Sequence, residues 1–558
     1  MIDSTGEWAL SGTGYLEKSV RFFSQKREGE GKGREGQINQ SNQAREGGRE
    51  GGNLTRMELS SVFGIGFSWM GEWQLILALA VVSVLLYEQL SYMRKGSRIP
   101  GPGMVVPFLG DAIRMVKDPT QFWIDQATIS GKVGMCWNVL FGRFIVFIRD
   151  SELSQRVFSN VKADGFQLVG HPFGKKLFGD INLIFMFGEE HKDLRRRLAP
   201  NFTLKALGTY VSIQDRIIRQ HIAKWIENCK STGKPAKMRL LVRDLNLETS
   251  QATFVGPYMS ANARKRFAED YRTFNAGVLT LPIDLPRFAY YEARLAVPRL
   301  VAILRDCVHE SKLRMAKGEE PECFADYWLA ETIKETEEAK ASGGPAPPHS
   351  SDLEVGSHLF DFLFASQDAS TSSLTWAVTL LEAHPKILEK VREEQKVLRP
   401  DLLEPITPEV VREMVYTTQV VKEVLRYRPP ASLVPHLACV DFALTENFTI
   451  PKGTVVFPSV FDSSFQGFSD PDTFDPDRFS SERQEDVVFK RNWLTFGAGS
   501  HQCPGQRYAI NHLTVFIALY STLVDWTRER TPNCDVLAYT PTISPKDDAL
   551  VMMKSRIQ

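Results

Sequence analysis

Near the C-terminus one cysteine is framed by glycines at fixed spacing: Phe496-Gly497-Ala498-Gly499-Ser500-His501-Gln502-Cys503-Pro504-Gly505. The pattern is Phe-x-x-Gly-x-x-x-Cys-x-Gly. It predicts a tight, glycine-shaped turn that carries a thiolate into the start of a helix. The glycines allow positive φ and let backbone approach a flat group closely. Pro504 suits a first helical position, where its missing N–H is not needed. Backbone N–H groups and the helix dipole then favour the deprotonated sulfur. Ile510, Leu513, Phe516, Ile517 and Tyr520 continue as an apolar helical stripe. A lone cysteine in such a turn reads first as buried core, because buried cysteines are common. The full pattern favours an axial metal ligand instead.

Composition narrows the function classes. The chain has 558 residues, is 43% hydrophobic, and carries 67 acidic against 67 basic residues. Zero net charge argues against nucleic-acid binding driven by bulk charge. The seven cysteines are scattered and include no Cys-x-x-Cys, which excludes a disulfide framework and a zinc module. Their pattern fits a reducing, cytosol-facing setting. From residue 104 onward no Walker loop and no Gly-x-Gly-x-x-Gly occurs, so this part of the sequence shows no phosphate-cradling loop of its own for a nucleotide cofactor.

The chain divides by composition. Residues 1–56 repeat Gly, Arg, Glu, Gln and Asn and cannot bury enough apolar surface to fold. Met57 is read as the physiological start, and N-terminal sequencing tests that. Residues 57–92 read as a membrane-anchor helix, apolar from Phe63 to Tyr87 apart from Glu72. Arg94, Lys95 and Arg98 place the following bulk in the cytosol. Residues 93–103 form a basic Pro/Gly hinge, and 104–558 read as the catalytic domain. A long helix is predicted over 353–383, ending before Pro385. Phe144-Ile145-Val146-Phe147 and Thr454-Val455-Val456-Phe457 read as strands of a small sheet.

The Cys503 segment resembles the haem-thiolate signature of the cytochrome P-450 superfamily. Four further strings resemble that family in the right order: Pro100-Gly101-Pro102-Gly103, Phe364 to Thr371, Glu423-Val424-Leu425-Arg426, and Phe474-Asp475-Pro476-Asp477-Arg478-Phe479. The resemblance implies a mainly α fold with a small β region, preceded by the anchor. It implies haem b, with Cys503 as the iron ligand and Phe496, Gly499, His501, Gly505, Arg195 and His191 around the cofactor. Electrons come from NADPH through a cytochrome P-450 reductase, with cytochrome b5 as a further donor. Glu423, Arg426 and Arg478 are implied to form a buried charged cluster. Asp368 matches the family's proton-delivering acid; Ala369 stands where most members carry Thr, which leaves Ser370 and Thr371 as relay hydroxyls. His501 stands where the family usually has Arg, and His191 where it has Trp. Arg196 and Arg197 read as solvated charges.

Gln367-Asp368-Ala369-Ser370-Thr371-Ser372-Ser373 is similar to sterol C-22 desaturases of plants, algae and fungi. So are His191 to Arg197 and Gly499 to Cys503. The implied activity is removal of two hydrogens from a sterol side chain at the endoplasmic reticulum membrane, with no oxygen retained. Implied substrate contacts are Phe166, Phe173, Ala365, Ala369, Leu433, Val434 and Ile543. Two other readings stay open: a lipid hydroxylase of the same superfamily, and a haem-binding sensor or electron carrier without turnover.

Overall fold

The computed structural model describes residues 71–169, 177–178, 182–278, 280, 282–534, 536–539 and 542–557. The 1–56 tail, the first part of the predicted anchor and Phe173 lie outside the described residues. The chain separates into two compact units, one of residues up to 131 with 136–145, the other of 132–135 with 146 onward.

The first unit begins with α1 (Glu72–Lys95), a helix long and apolar enough to cross a membrane. Its apolar side chains are exposed, Leu77 by 66% and Leu86 by 57%, which is the reverse of a core helix. The helix runs three residues beyond the predicted boundary at 92, so the hinge begins at Gly96 rather than at Met93. The hinge glycines have a packing reason. A Cβ on Gly96 would lie 2.4 Å from the Trp137 indole, and one on Gly101 would lie 2.1 Å from it. Trp137 N–H also donates to the Pro100 carbonyl at 2.9 Å.

The second unit is mainly helical. We label α2 (Gly188–Leu198), α3 (Leu204–Thr232), α4 (Met238–Val255), α5 (Ala289–Met315), α6 (Phe324–Ala341), α7 (Asp352–Ala383), α8 (Val415–Tyr427) and α9 (Gln506–Leu523). The predicted long helix is α7. Ser351 and Glu354 close a reciprocal capping box at its start, and Pro385 opens the next helix. α7 packs on α4 and α5, and α9 packs on α3. Phe254, Phe274, Phe324, Trp328, Leu359 and Leu363 belong to the core that these contacts bury. Three short antiparallel strands, β1 (Phe166–Leu168), β2 (His436–Ala438) and β3 (Val455–Pro458), sit in the order β1-β2-β3. Leu168 pairs with His436, and His436 with Val456. β4 (Ile543–Pro545) lies against α7: its Ile543 carbonyl accepts from Ser372 Oγ (2.6 Å) and Trp376 Nε1 (2.9 Å).

Candidate functional site

The cysteine turn is a closed loop. Cys503 N–H donates to the Phe496 carbonyl at 2.9 Å. Gly497 and Gly499 both have positive φ, 71° and 74°. A Cβ on Gly499 would stand 2.9 Å from the Phe158 carbonyl oxygen, so this glycine lets the turn rest on neighbouring backbone. The helix starts at Gln506, which puts Pro504 ahead of the first helical position predicted for it. Of the seven cysteines only Cys503 is exposed, and its exposed side opens into an internal cavity. Its dense surroundings raise the thiol pKa; the Gly505 backbone and Arg195 oppose that rise without cancelling it. The expected depression of the thiol pKa by the turn is therefore not found. Burial outweighs the local N–H groups.

The cavity measures about 340 Å³. Its wall is mostly apolar, with Phe202, Phe254, Phe324 and Phe362 among the aromatic side chains. α7 contributes Asp361, Phe362, Ala365, Ser366, Ala369 and Ser370, the recurrence expected of one helical face. Phe496, His501, Gly505 and Val434 also line it. Gly499 buttresses the turn from outside the wall.

Several expected residues lie elsewhere. Thr371 is buried off the wall; its Oγ1 donates to the Gln367 carbonyl (2.7 Å) and accepts from Asn246 Nδ2 (3.0 Å). One further residue of helix turns its hydroxyl about 100° away from that of Ser370. Asp368 is half-buried beside the charges of Arg243 and Arg239, and burial raises its pKa. Phe166 is covered by Phe442, with ring centroids 4.7 Å apart. Leu433 is held in a bridge to Ser459. Ile543 is buried, with its carbonyl bound beneath α7. α7 runs unbroken through Ala365 and Ser366, without the bulge that two small residues would permit.

Glu423, Arg426 and Arg478 meet with 0% exposure each. Arg426 forks onto Glu423 through Nε (2.7 Å) and Nη2 (2.8 Å), and Arg478 Nε reaches the same carboxylate at 3.1 Å. Asp475 N–H adds a fourth donor at 2.9 Å, and Arg478 Nη1 extends to Glu485 at 3.1 Å. Bidentate, charge-assisted bonds of this kind are the strong ones.

The cytochrome P450 family model matches residues 100–523, a span that contains the cysteine turn, the cavity helix and the charged cluster. The chain belongs to the cytochrome P450 family. It is 55% identical over 480 residues to cytochrome P450 710A2 of Arabidopsis thaliana, covering 86% of this chain and 95% of that one. It is 31% identical over 503 residues to C-22 sterol desaturase ERG5A of Gibberella zeae, covering 87% and 92%. Among solved structures, retinoic-acid-bound cyanobacterial CYP120A1 superposes with a TM-score of 0.69 at 23% identity, over 82% of this chain and 99% of that one, which shows the fold.

A cytochrome P450 carries haem iron, and the residues present fit that group. A thiol opens into a cavity whose wall also holds buried polar atoms without a partner: Tyr210 Oη, His436 Nε2 and Thr495 Oγ1. The His436 ring is held edge-on to Phe158 (5.2 Å), its Nδ1 lies 2.7 Å from the Val434 carbonyl, and burial lowers its pKa to about 4. Near it His501 stacks on His191, ring centroids 3.9 Å apart and 11° from parallel. Thus the two positions that depart from the usual family pattern are in contact. Burial and neighbouring charge lower the pKa of both, His501 to about 4. Arg195 lies one turn along from His191, and its Nη2 donates to the Gln502 carbonyl at 2.8 Å. Arg197, expected to be solvated, is buried against Asp193 (2.6 Å) and Glu335 (2.9 Å). Sequence reading overlooked His436. Only strand pairing brings it to the wall, and no spacing marks it.

Proposed function

We propose that this cytochrome P450 is a membrane-anchored sterol C-22 desaturase. The sterol side chain loses two hydrogens to form a double bond between C-22 and C-23, dioxygen becomes two waters, and NADPH supplies two electrons through a reductase. The observation that carries this reading is the apolar cavity running along Ala365 and Ala369 to the exposed thiol of Cys503. The sequence similarity to a fungal C-22 sterol desaturase supports it. Exposed apolar α1, with Arg94 and Lys95 in its last turn, supports anchoring in the endoplasmic reticulum with the rest of the chain in the cytosol.

Cys503 would hold the iron. His501, His191 and Arg195 would hold the anionic edge of the haem, the two histidines through neutral N–H donors; His436, whose Nδ1–H donates to the Val434 carbonyl, offers only the Nε2 lone pair on the wall. Haem, when bound, supplies the dioxygen activation that oxidises an unactivated carbon. The aromatic wall excludes water and fixes the substrate. Ser370 and Ser366 place hydroxyls on the wall, where each can pass a proton. Asp368, close behind them on α7, serves as the carboxyl that brings protons in from the Arg243 side.

The test is a reduced-CO spectrum, followed by turnover of saturated-side-chain sterols with reductase and NADPH. The expected product is two hydrogens lighter than the substrate. A product with added oxygen would replace this reading with a lipid hydroxylase. Haem that binds without any turnover would replace it with a sensor or carrier. Cys503→Ala is expected to abolish the red-shifted Soret band of the CO complex. An unchanged band would refute Cys503 as ligand.

A further inference from the structure

Among the described residues of the cavity wall, one carboxylate stands out: Asp361. It lies on α7 one turn before Ala365 and two turns before Ala369, about 12 Å along the axis from the latter. Its side chain is only 6% exposed. Its oxygens accept from Asn182 Nδ2 (2.5 Å) and from Leu183 N–H (3.2 Å). Behind it, a line of titratable side chains leads outward. His358 Nδ1 is 3.7 Å from Asp361 Oδ2, His358 Nε2 is 3.4 Å from His349 Nδ1, and His349 Nε2 is 3.1 Å from Glu190 Oε1, whose side chain is 58% exposed.

A carboxylate beside an apolar cavity is costly unless its lone pairs are met. A carboxylate accepts in about four directions, and the two described donors leave capacity for more. Burial lifts its pKa only to about 6, so at neutral pH it is an acceptor. The rest of the wall stripe is small or apolar, apart from the two serines. A ligand that suits this wall is rigid and apolar, with one O–H donor at one end and hydrocarbon at the other.

We propose that Asp361 is the anchor for the ring hydroxyl of the substrate, so that the sterol lies along α7 with its side chain toward Ala369. The carboxylate accepts the hydroxyl proton in a charge-assisted bond. Asn182 and Leu183 fix the carboxylate rotamer, and His358 backs it. This rests on the sterol reading above, and it goes further by assigning the end of the cavity that reads the ring hydroxyl.

The experiment is an equilibrium spectral titration of the haem-loaded full chain with two ligands: a 3β-hydroxysterol with a saturated side chain, and its 3-deoxy counterpart. The native protein is expected to bind the hydroxysterol about tenfold or more tighter. Asp361→Asn is expected to shrink that preference to about two- to threefold, chiefly by weakening the hydroxysterol. Equal binding of both ligands by the native protein would overturn the anchor while leaving sterol binding intact. A uniform loss for both ligands in the variant marks a structural pin for residues 182–183 and also overturns it. Failure of both sterols to bind the native protein sinks the sterol reading itself, and the anchor with it.

Discussion

Two buried polar groups of the second unit make opposite use of the same physics. Around Glu423, both carboxylate oxygens and both guanidinium groups are bonded within the protein. At His436 the imidazole is equally desolvated, yet its Nε2 lone pair meets no donor. A closed network stabilises the chain that built it. An open one costs free energy until something outside the chain completes it.

Glu423→Gln breaks the closed network most severely. It leaves Arg426 and Arg478 buried with half their compensation gone. Losing one partner of such a group costs about 3–5 kcal/mol, a large share of the stability of any domain. The expected result is little folded, haem-loaded protein, read as expression yield and as the denaturant midpoint. A variant within about 1 kcal/mol of the native protein would show that the cluster is not the support it resembles.

Acid sharpens the same comparison, because the buried imidazoles are kept neutral. His512 is 2% exposed, its Nε2 lies 2.9 Å from Asn246 Oδ1, and burial lowers its pKa to about 4. Between the ordinary value of about 6.5 and 4, the unfolded chain binds a proton that the folded chain refuses. Stability is therefore complete above pH 6.5 and falls as pH drops toward 4, by up to about 3 kcal/mol for this residue. His512→Gln retains an amide donor toward Asn246 and is expected to make the decline shallower by up to one proton. Denaturant midpoints from pH 4.5 to 7.5 measure it. An identical slope in the variant would remove His512 from the account.

How much of this was visible in the sequence follows from which interactions are local. The Cys503 turn, the 353–383 helix and the Glu423–Arg426 pair at i,i+3 are written in consecutive residues and were legible, whereas the Ser351–Glu354 cap, though equally local, was not read. Arg478 was legible through its Pro-x-Arg-Phe context. His436 was not, because its neighbours are set by pairing with Leu168 on one side and Val456 on the other, from distant parts of the chain. Arg197 was misread as solvated because Glu335, from α6, buries it. Of the two candidate relay hydroxyls, Ser370 and Thr371, the sequence could not say which faces the cavity. In a helix, one residue is enough to exchange a cavity for the side chain of Asn246. Phe166 and Ile543 fail in the same manner: both sit on strands near the cavity, yet neighbouring packing covers them.

His436→Phe tests the open network directly. Phenylalanine keeps the ring packed against Phe158 and removes the orphaned Nε2 acceptor, together with the Nδ1–H bond to Val434. If the loaded cofactor brings a donor to that lone pair, a protonated carboxyl or a water it holds, losing the bond is worth about 1–1.5 kcal/mol. Transfer of haem from the loaded protein to an excess of apomyoglobin is expected to accelerate about tenfold, while the stability of the haem-free chain stays level or rises. Unchanged transfer would mean that Nε2 is met by something other than the cofactor.

The smallest expected effect lies on α7 itself, where the wall carries Ser370 and Ser366 but Ala369 offers no hydroxyl. Ala369→Thr adds a hydroxyl on the same face, next to Ser370. If wall hydroxyls govern proton delivery, the fraction of NADPH electrons lost as hydrogen peroxide falls about twofold, a barrier change of only ~0.4 kcal/mol. Ser370→Ala is expected to raise the leak by a similar factor. Thr371→Val should leave it unchanged, because that hydroxyl is turned to Asn246 and Gln367. The pattern across the three variants decides the point. A leak that follows Thr371 and ignores Ser370 would place the relay on the wrong face of the helix and would undo the division of α7 into a cavity side and a packed side.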